Sequence, residues 1–408
     1  MEIDKPFNDL KLINHDCNEL NFEPEVEDII STIAKKEGFT NYNVEKKLLS
    51  NVGGNYLGIL YEVNIKSGKK ELNLFLKKII MGDKITFLSV AEAYTKEIFV
   101  YDELSKIFNE IQAKATVPVE HMFEIVKCYG VFRKLNSETL FLENLTKKGY
   151  ITCDRFESIN LKFAELAIVD LAKFHALGFV LERKRPRYFE RKIKPLKPPF
   201  IINDKWKDFI TSITDNTLQR LDCKEIKSKV EKFVEDKMVN NFDAYYKPTK
   251  FSTLCHGDFR ANNVLVKEKN GKFIKTMVVD YQLIYYGCPI NDFLYFIFGA
   301  TDQKFREKHL VHLKNLYYTT LKEFLNNFNC DIEYVYPKKE FEREYRNRLD
   351  FGLAMALLVL PFIVASEGDV PDFAETEITD MKISENEDTL FKERILGVLD
   401  DYLKWGYL

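Results

Sequence analysis

Residues 48–81 constrain the fold of this chain most, because short apolar runs alternate there with residues that form turns. Gly53-Gly54, Asn55 and Ser67-Gly68 interrupt the runs, which is typical of antiparallel strands joined by hairpins. Three such strands are predicted. In 90–111, apolar and aromatic residues then recur at helical spacing, at positions 94, 98, 101, 104, 107 and 108. The chain is therefore predicted to begin with a β-β-β-α unit.

The rest of the chain changes from strands to long helices. A further strand pair is predicted over 123–144, and helical patterns dominate afterwards, the first over 157–177. A length of 408 residues exceeds a single ordinary core, so we expect two lobes, divided into 1–142 and 143–408. The predicted fold class is α+β, with a small antiparallel-sheet lobe followed by a larger, mainly helical lobe.

Three other segments also carry structural signals. An opening helix over 22–40 is expected to pack on the small lobe. The apolar run 351–365 is predicted to be a buried helix that ends near Pro361, and it is too short to cross a bilayer. The segment 182–199 holds eight basic residues and four prolines, which favours a solvated surface connection; a nuclear-targeting or anion-binding role is the alternative.

Composition excludes several classes of partner. The formal net charge is −3, with 60 Lys and Arg against 63 Asp and Glu, so no basic surface for nucleic acid is expected. The seven cysteines occur singly, without a CxxC pair, and are predicted to be reduced thiols. The first twenty residues lack the basic flank and apolar run of a signal peptide. We therefore expect a cytoplasmic protein with no nucleic-acid, membrane or obligate protein partner.

Polar side chains cluster in "TLCHGDFRANNVLV", residues 253–266. Asp258 and Asn263 lie between two short β-prone runs, and "KTMVVDYQ" at 275–282 then delivers Asp280 at the end of an apolar strand. Carboxylate and amide oxygens suit Mg²⁺, whose remaining ligands are phosphate and water. Asn263 and Asp280 are thus predicted to hold Mg²⁺ on a nucleoside triphosphate, while Asp258 orients and deprotonates an alcohol. Each residue alone is an ordinary turn former, and it is their spacing that favours phosphoryl transfer.

The glycine-rich run "GGNYLG", residues 53–58, would let backbone amides approach phosphate oxygens. A simple hairpin turn is the commoner explanation of such a run. Its spacing resembles a P-loop, but Ile59 and Leu60 stand where that motif has Lys and Ser or Thr. A P-loop fold is therefore disfavoured.

A phosphate-binding lysine is expected instead from the neighbouring strand, where "LNLFLKK" supplies Lys77 and Lys78. Alternation does not decide between them, and Lys77 is the one we select. A buried ammonium requires a carboxylate partner, and the following helix offers Glu97. The alternative is that Glu97 is an exposed helix residue beside Lys96.

This ordered set of residues resembles the protein kinase-like superfamily. It resembles most closely the insect ecdysteroid kinase-like family, which is related to choline kinases and aminoglycoside phosphotransferases. The matching strings are "GGNY" at 53–56, "LFLENL" at 140–145, "LAKFHAL" at 171–177, "HGDFRANN" at 256–263 and "VVDYQ" at 278–282. The resemblance runs from about Asn51 to the C-terminal "RILGVLDDYLKWGYL", which is most of the chain.

The resemblance implies a bilobal protein kinase-like fold with ATP between the lobes and the acceptor against the helical lobe. Asp258 would be the base, with Asn263 and Asp280 as metal ligands. Asp292 would cap the next helix and brace the catalytic loop, and a plain helix cap is the alternative. The implied ATP-binding residues are Gly53, Gly54, Asn55 and Tyr56 over the phosphates, Lys77 held by Glu97, and the hinge residues Glu143, Asn144 and Leu145, which act through backbone groups.

Two positions depart from the family pattern. Arg260 stands where the family often has Trp, two residues after the catalytic aspartate, and Asn144 replaces the usual hinge Asp. Neither is one of the phosphoryl-transfer groups. Arg260 could alter the acceptor pocket, so the identity of the acceptor is the part of the resemblance that is least secure.

The function implied is ATP-dependent phosphorylation of a small-molecule hydroxyl, most directly that of an ecdysteroid. A choline- or ethanolamine-type kinase and a kinase of xenobiotic alcohols are alternatives. A protein kinase is disfavoured, because Gln282 replaces the glycine of DFG and the next helix begins soon afterwards, which leaves little room for an activation loop. An inactive pseudokinase that holds nucleotide or hormone is the alternative of another class, and the presence of Lys77, Asp258, Asn263 and Asp280 disfavours it.

Overall fold

The computed structural model of the chain describes residues 21–49, 58–79, 88–198, 200–365 and 385–408. These residues form a small lobe around an antiparallel sheet and a larger helical lobe. The strands are β1 (Asn43–Leu49), β2 (Gly58–Ser67), β3 (Lys70–Ile79), β4 (Cys128–Phe132), β5 (Thr139–Glu143), β6 (Tyr150–Ile151), β7 (Thr253–Cys255), β8 (Val264–Lys269), β9 (Lys272–Val278) and β10 (Tyr285–Gly287). The helices are α1 (Pro24–Lys36), α2 (Val90–Phe99), α3 (Ser105–Lys114), α4 (Leu161–Lys184), α5 (Pro186–Lys192), α6 (Asp204–Leu218), α7 (Lys224–Phe233), α8 (Ile290–Ala300), α9 (Gln303–Asn326), α10 (Ile332–Val335), α11 (Lys338–Val364) and α12 (Glu385–Lys404).

The small-lobe sheet has the strand order β1-β2-β3-β5-β4 among the described residues, and each neighbouring pair is antiparallel. Side chains alternate between the two faces of a strand. Leu74 and Leu76 of β3 therefore share one face, where they pack with Ile30 of α1. The predicted three strands and the opening helix on this lobe are confirmed. The other face of β3 carries Phe75 and Lys77 toward the space between the lobes.

The predicted helix over 90–111 is present as a longer segment that contains a π-helical turn. The turn, Val100–Leu104, joins α2 directly to α3. Such turns insert an extra residue into a helix and occur frequently at functional sites. Glu97, just before this turn, and Tyr101, within it, are both buried, with 1% and 2% of their surface exposed.

The helical lobe is built around α8, every residue of which is buried. Helix α11 packs against α8 and α12, and α4 packs against α9. The predicted buried helix over 351–365 is confirmed as the C-terminal part of α11, with Pro361 in its last turn. By length and composition α11 is apolar enough to cross a membrane, but 72% of its most apolar window is buried inside the protein, as in the core helix of a soluble protein.

Two predicted boundaries are wrong for identifiable reasons. The helix expected from residue 157 begins later, because the Asn160 side chain caps it by accepting a hydrogen bond of 2.8 Å from the Phe163 amide. The first strand expected within 123–144 also begins later, at β4. The Gln112 side chain binds both backbone groups of Phe123, at 2.7 and 3.0 Å, and this holds residue 123 away from the sheet.

The prediction of a solvated connection over 182–199 is wrong in part, because α4 extends into it and α5 occupies much of the rest. Phe189 and Ile193 are fully buried one helical turn apart, and they anchor the segment on the lobe. Its basic residues also find partners in the neighbouring helix, as Arg185 does with Glu110 of α3. Two buried apolar side chains thus outweigh a composition rich in Lys, Arg and Pro.

We predict that Gly178→Ala destabilises the helical lobe. A Cβ at this position of α4 would overlap the Thr253 hydroxyl and lie 3.1 Å from the Leu254 amide nitrogen, so the helix could not approach β7 as closely. The free energy of unfolding, measured by urea denaturation, is expected to fall by about 1–3 kcal/mol. Gly299→Ala in α8 is the matched control, because its Cβ would make ordinary contacts at 3.6 Å. An equal loss in both variants would contradict this packing argument.

Candidate active site

A cavity of about 620 Å³ lies between the two lobes. Apolar side chains from both lobes line it, including Leu60, Phe75, Val126, Leu142, Leu265 and Val279. The residues predicted from the sequence that also line it are Lys77, Glu97, Glu143, Asn144, Leu145, Asn263 and Asp280. The structure thus brings together in one cavity groups that are separated by up to 203 positions in the chain.

The predicted phosphate-covering residues Gly53, Gly54, Asn55 and Tyr56 lie outside the described residues. Gly58, the last glycine of the same run, begins β2. A Cβ at this position would overlap the hydroxyl of Tyr94 in α2. The start of β2 therefore passes directly against the helix that carries Glu97.

Lys77 connects the two lobes electrostatically. Its Nζ lies 3.0 and 2.9 Å from the two carboxylate oxygens of Glu97 and 3.0 Å from Oδ1 of Asp280. Lys78 points to the opposite face of β3, where it lies 2.9 Å from Glu23. Glu97 is buried, so the alternative of an exposed helix residue is wrong.

Lys77 and Asp280 stabilise each other's charge within this buried group. Burial by itself would lower the pKa of Lys77, but Asp280 and Glu97 outweigh it, so the pKa of the ammonium is raised. Burial raises the pKa of Glu97, against the opposing effect of Lys77. For Asp280, Lys77 outweighs the burial and the pKa is lowered. The cavity therefore presents a charged ammonium and a charged carboxylate side by side.

Asp280 reaches the cavity through an unusual backbone conformation. Its φ of 65° lies in the left-handed region, which few residues other than glycine adopt and Asp tolerates better than most. Its amide donates to the hydroxyl of Tyr101, at 3.3 Å. Tyr101 follows Glu97 by four residues, so a single helical segment contacts both Lys77 and the Asp280 backbone. Backbone conformations of this kind concentrate at functional sites.

The loop 256–258 is held by a buried carboxylate. The amides of His256 and Gly257 donate to the two oxygens of Asp292, at 2.6 and 2.9 Å. Gly257 has a φ of 81°, and a Cβ there would overlap the Leu283 carbonyl, so only glycine fits. Asp292 lies in the first turn of α8, with Pro289 at the N-cap position. It therefore braces the loop as predicted, while its predicted role as a helix cap is wrong.

The His256 ring bridges the two loops that carry Asp258 and Asp280. Burial lowers the pKa of its imidazole, so the ring is neutral. Its Nε2 lies 3.1 Å from the Val279 carbonyl oxygen, which only accepts, so Nε2 carries the proton. Nδ1 is then an acceptor, and the Asp258 amide donates to it at 3.3 Å. One neutral ring thus connects the backbone of residue 258 to that of residue 279.

The Asp258 carboxylate is held on both oxygens. Tyr295 donates its hydroxyl to Oδ1 at 2.7 Å, and Asn263 donates its amide to Oδ2 at 2.8 Å. The Arg260 Nε lies 3.4 Å from Oδ2. The side chain of Asp258 remains 14% exposed, so a small molecule can still reach it.

The hinge between the lobes is fixed by the side chain of Asn144. Its amide group donates to Glu62 of β2 at 3.2 Å, and its oxygen accepts from the backbone and hydroxyl of Thr146 at 3.1 and 2.7 Å. Glu143 forms an ion pair with Lys148 at the same turn. The side chains of Glu143 and Asn144 thus hold the hinge. This agrees with the prediction that these residues contribute to the cavity through their backbone groups.

Asn263 and Asp280 have the donor chemistry that Mg²⁺ requires. The Asn263 amide nitrogen is committed to Asp258, donating to its carbonyl oxygen at 2.9 Å as well as to its carboxylate. The amide oxygen is therefore the group that Asn263 can offer to a ligand. Together with a charged carboxylate from Asp280 it supplies two hard oxygen donors in one cavity, which could hold Mg²⁺ if phosphate and water supplied its other ligands.

Sequence reasoning missed the contributions of Tyr101, Tyr295 and His256. The signal for the two tyrosines was helical spacing, since Tyr101 follows Glu97 by four residues and Tyr295 follows Asp292 by three. Residues so spaced share a helix face. His256 had no such signal, because its role depends on the carbonyl of Val279, which lies 23 residues away in the loop after β9.

Solved structures with a similar course of the chain are small-molecule phosphotransferases. An ethanolamine kinase from Plasmodium vivax is 12% identical, with a TM-score of 0.40 over 94% of this chain and 92% of that one. A type VIII aminoglycoside 3'-phosphotransferase is 12% identical, with a TM-score of 0.34 over 82% and 98%. An aminoglycoside phosphotransferase from Streptomyces rimosus, in complex with ADP and streptomycin, is 10% identical, with a TM-score of 0.33 over 82% and 99%. These values are too low to support an argument about function.

Sequence comparison is more decisive. No curated protein matches the sequence significantly. A family model does match, and it covers residues 52–330, which is more than half of the chain and includes every described site residue discussed above. The match and the two-lobed architecture confirm the predicted bilobal protein kinase-like fold. The chain belongs to the ecdysteroid kinase-like family.

Proposed function

We propose that this protein is an ATP-dependent small-molecule kinase, which transfers a phosphoryl group to a hydroxyl. The observation that carries the proposal is the convergence of Lys77, Asn263 and Asp280 in one interlobe cavity, with the Asp258 carboxylate accepting a hydrogen bond from Asn263 at 2.8 Å. Phosphoryl transfer requires a cation for the phosphates, oxygen ligands for Mg²⁺ and a base for the acceptor. Membership of the ecdysteroid kinase-like family supports the same reaction class.

In this proposal each residue of the cavity has one task. Lys77 binds the phosphates, and Glu97 holds its ammonium in place. Mg²⁺, when bound by Asn263 and Asp280, neutralises charge on the phosphate oxygens. Asp258 orients the acceptor hydroxyl and accepts its proton as the oxygen attacks the terminal phosphorus and ADP leaves.

A small acceptor is favoured over a protein substrate. Protein kinases carry a long activation segment between the metal-binding aspartate and the next helix. Here only residues 281–289 separate Asp280 from α8, and β10 lies among them, paired with β7. A segment this short, already paired in a sheet, offers no platform for a peptide.

The charge beside the base favours a neutral acceptor. Arg260 lies 3.4 Å from the Asp258 carboxylate, so a cationic acceptor would be brought close to a guanidinium. At an effective dielectric constant of 20, two like charges roughly 8 Å apart repel by about 2 kcal/mol, and the Asp258 carboxylate offsets part of this repulsion. Ethanolamine, choline and aminoglycosides are cations, whereas a steroid alcohol is neutral. This contact therefore supports an uncharged alcohol.

Aromatic packing behind Asp258 also favours an uncharged acceptor. Tyr246 lies near enough to Asp258 for that carboxylate, after burial and Asp292, to raise the pKa of its phenol. Its ring packs against those of Phe200, Tyr285 and Phe351, with centroids 5.7, 5.1 and 6.0 Å away. These largely buried rings make the surroundings of the base apolar, which suits an apolar acceptor such as an ecdysteroid better than a cation. We therefore propose an ecdysteroid hydroxyl as the acceptor, with a neutral xenobiotic alcohol as the second candidate.

We predict that Asp258→Asn abolishes most turnover without loss of nucleotide binding. The amide keeps the shape of the carboxylate but cannot accept the acceptor proton, so kcat is expected to fall by about 10²–10⁴-fold. Purified protein is incubated with Mg-ATP and ecdysteroid, xenobiotic, choline and glycoside alcohols. ADP release and a mass gain of one phosphate on the alcohol are measured, and the Kd for ATP is measured by calorimetry.

Two results would contradict the proposal. Unchanged turnover in the Asp258→Asn variant would exclude its role as the base. Wild-type protein that binds ATP but phosphorylates none of the alcohols would favour an inactive nucleotide-binding protein.

We also predict that Arg260 selects against cationic acceptors. Replacing it by Gln removes the repulsion, so kcat/KM for choline or an aminoglycoside is expected to rise roughly 10-fold relative to a neutral alcohol. The ratio between acceptors is the quantity to compare, because Arg260 also lines the nucleotide cavity. Arg155→Gln is the matched control, since it removes the same charge from the hinge side of that cavity. A ratio that changes equally in both variants, or in neither, would contradict this role of Arg260.

A further inference from the structure

Helix α8 holds the proposed base through two residues on one face. Asp292, in its first turn, accepts from the amides of His256 and Gly257. Tyr295 follows three residues later, so its side chain projects from the same face. It donates its hydroxyl to Oδ1 of Asp258 at 2.7 Å. A single helical turn therefore contacts both the backbone of the loop and the reactive carboxylate.

The two carboxylate oxygens of Asp258 accept hydrogen bonds from different partners. The Tyr295 hydroxyl binds Oδ1, while the Asn263 amide and the Arg260 guanidinium approach Oδ2 at 2.8 and 3.4 Å. A carboxylate with a donor on each oxygen cannot rotate about its Cβ–Cγ bond without breaking one of these contacts. Oδ1 has one donor and therefore keeps a second lone pair, which remains available to an acceptor hydroxyl.

We propose that Tyr295 is a positioning residue for phosphoryl transfer, whose hydroxyl fixes the plane of the Asp258 carboxylate so that the free lone pair of Oδ1 faces the acceptor. This inference rests on the proposed function, because it assigns Asp258 the role of base. The phenol acts through Asp258 and does not itself contact ATP.

The surroundings of Tyr295 keep it in the donor state. Only 7% of its surface is exposed, and its ring lies in a helix that is buried throughout. Burial, followed by the charge of Asp258, raises the pKa of the phenol well above its ordinary value. The hydroxyl is therefore protonated at neutral pH and donates its hydrogen to the carboxylate. A hydrogen bond to a charged carboxylate is stronger than one between two neutral groups.

Tyr295→Phe tests the proposal, because it removes the hydroxyl and leaves the ring in its packed place. A hydrogen bond to a charged group contributes about 1.5–3 kcal/mol, so kcat is expected to fall by about 10- to 100-fold. The KM for the acceptor and the Kd for ATP are expected to stay within about twofold of the wild type, because Tyr295 touches neither. A purely structural role would lower Tm and weaken ATP binding together with kcat.

Two further proteins make the result specific. Tyr318→Phe removes a buried hydroxyl that bonds the Tyr336 carbonyl at 3.1 Å, away from the cavity, and is expected to retain wild-type kcat. Incorporation of 3-fluorotyrosine at position 295 keeps both the ring and the donor, and is expected to retain turnover near that of the wild type. It also serves as the readout if the phenylalanine variant does not fold.

The outcomes separate the two proposals. Wild-type protein that transfers phosphate, together with an unchanged kcat in Tyr295→Phe, would overturn the role of Tyr295 alone. A loss in the fluorotyrosine protein as large as that in the phenylalanine variant would do the same. Phosphate found on Tyr295 itself after incubation with Mg-ATP would show that this hydroxyl is an acceptor and overturn its positioning role. Wild-type protein without any transfer would overturn the proposed function, and the role of Tyr295 with it.

Discussion

The structure depends on the burial of one carboxylate. Asp292 is 1% exposed, and an ionised carboxylate at such depth is tolerated only when donors replace its lost water. Three donors do so: the amides of His256 and Gly257, and Nε2 of His175 at 3.0 Å. The two amides belong to the loop that leads into Asp258. The requirement to satisfy this charge therefore fixes the path of the loop, and the positions of Asp258 and Asn263 follow from that path.

A second constraint joins the lobes. Lys77 belongs to the small-lobe sheet, and its ammonium is shared between Glu97 of the same lobe and Asp280 of the other. Because the pair is buried, the loss of one partner would leave a charge without compensation. The phosphates of ATP carry the same sign as Asp280, so they offer Lys77 an alternative partner. Nucleotide binding would then replace a contact between the lobes and leave Asp280 free for Mg²⁺.

Much of this arrangement could be predicted from the sequence, because it follows from local patterns of residues. Turn residues between apolar runs predicted the strands, and the order of Lys77, Glu97, Asn263 and Asp280 predicted one cavity, to which Asp258 is joined by its hydrogen bond with Asn263. What failed depended on distant contacts. The segment 182–199 was misjudged because two buried side chains outweighed its composition. Tyr101 and Tyr295 were missed because an aromatic residue in an apolar helix resembles core packing, and only the fold brings its hydroxyl to a carboxylate.

The position of the base is thus a property of the packed core. Helix α11 packs closely against α8. A Cβ at Gly352 of α11 would overlap the ring of Phe298 in α8. A change in this packing moves α8, and with it both Asp292 and Tyr295. Lys77 and the hinge belong to other elements, β3 and the turn after β5, and do not move with α8. Disturbance of the α8–α11 contact would therefore affect the proposed proton transfer to Asp258 before it affects the proposed binding of nucleotide.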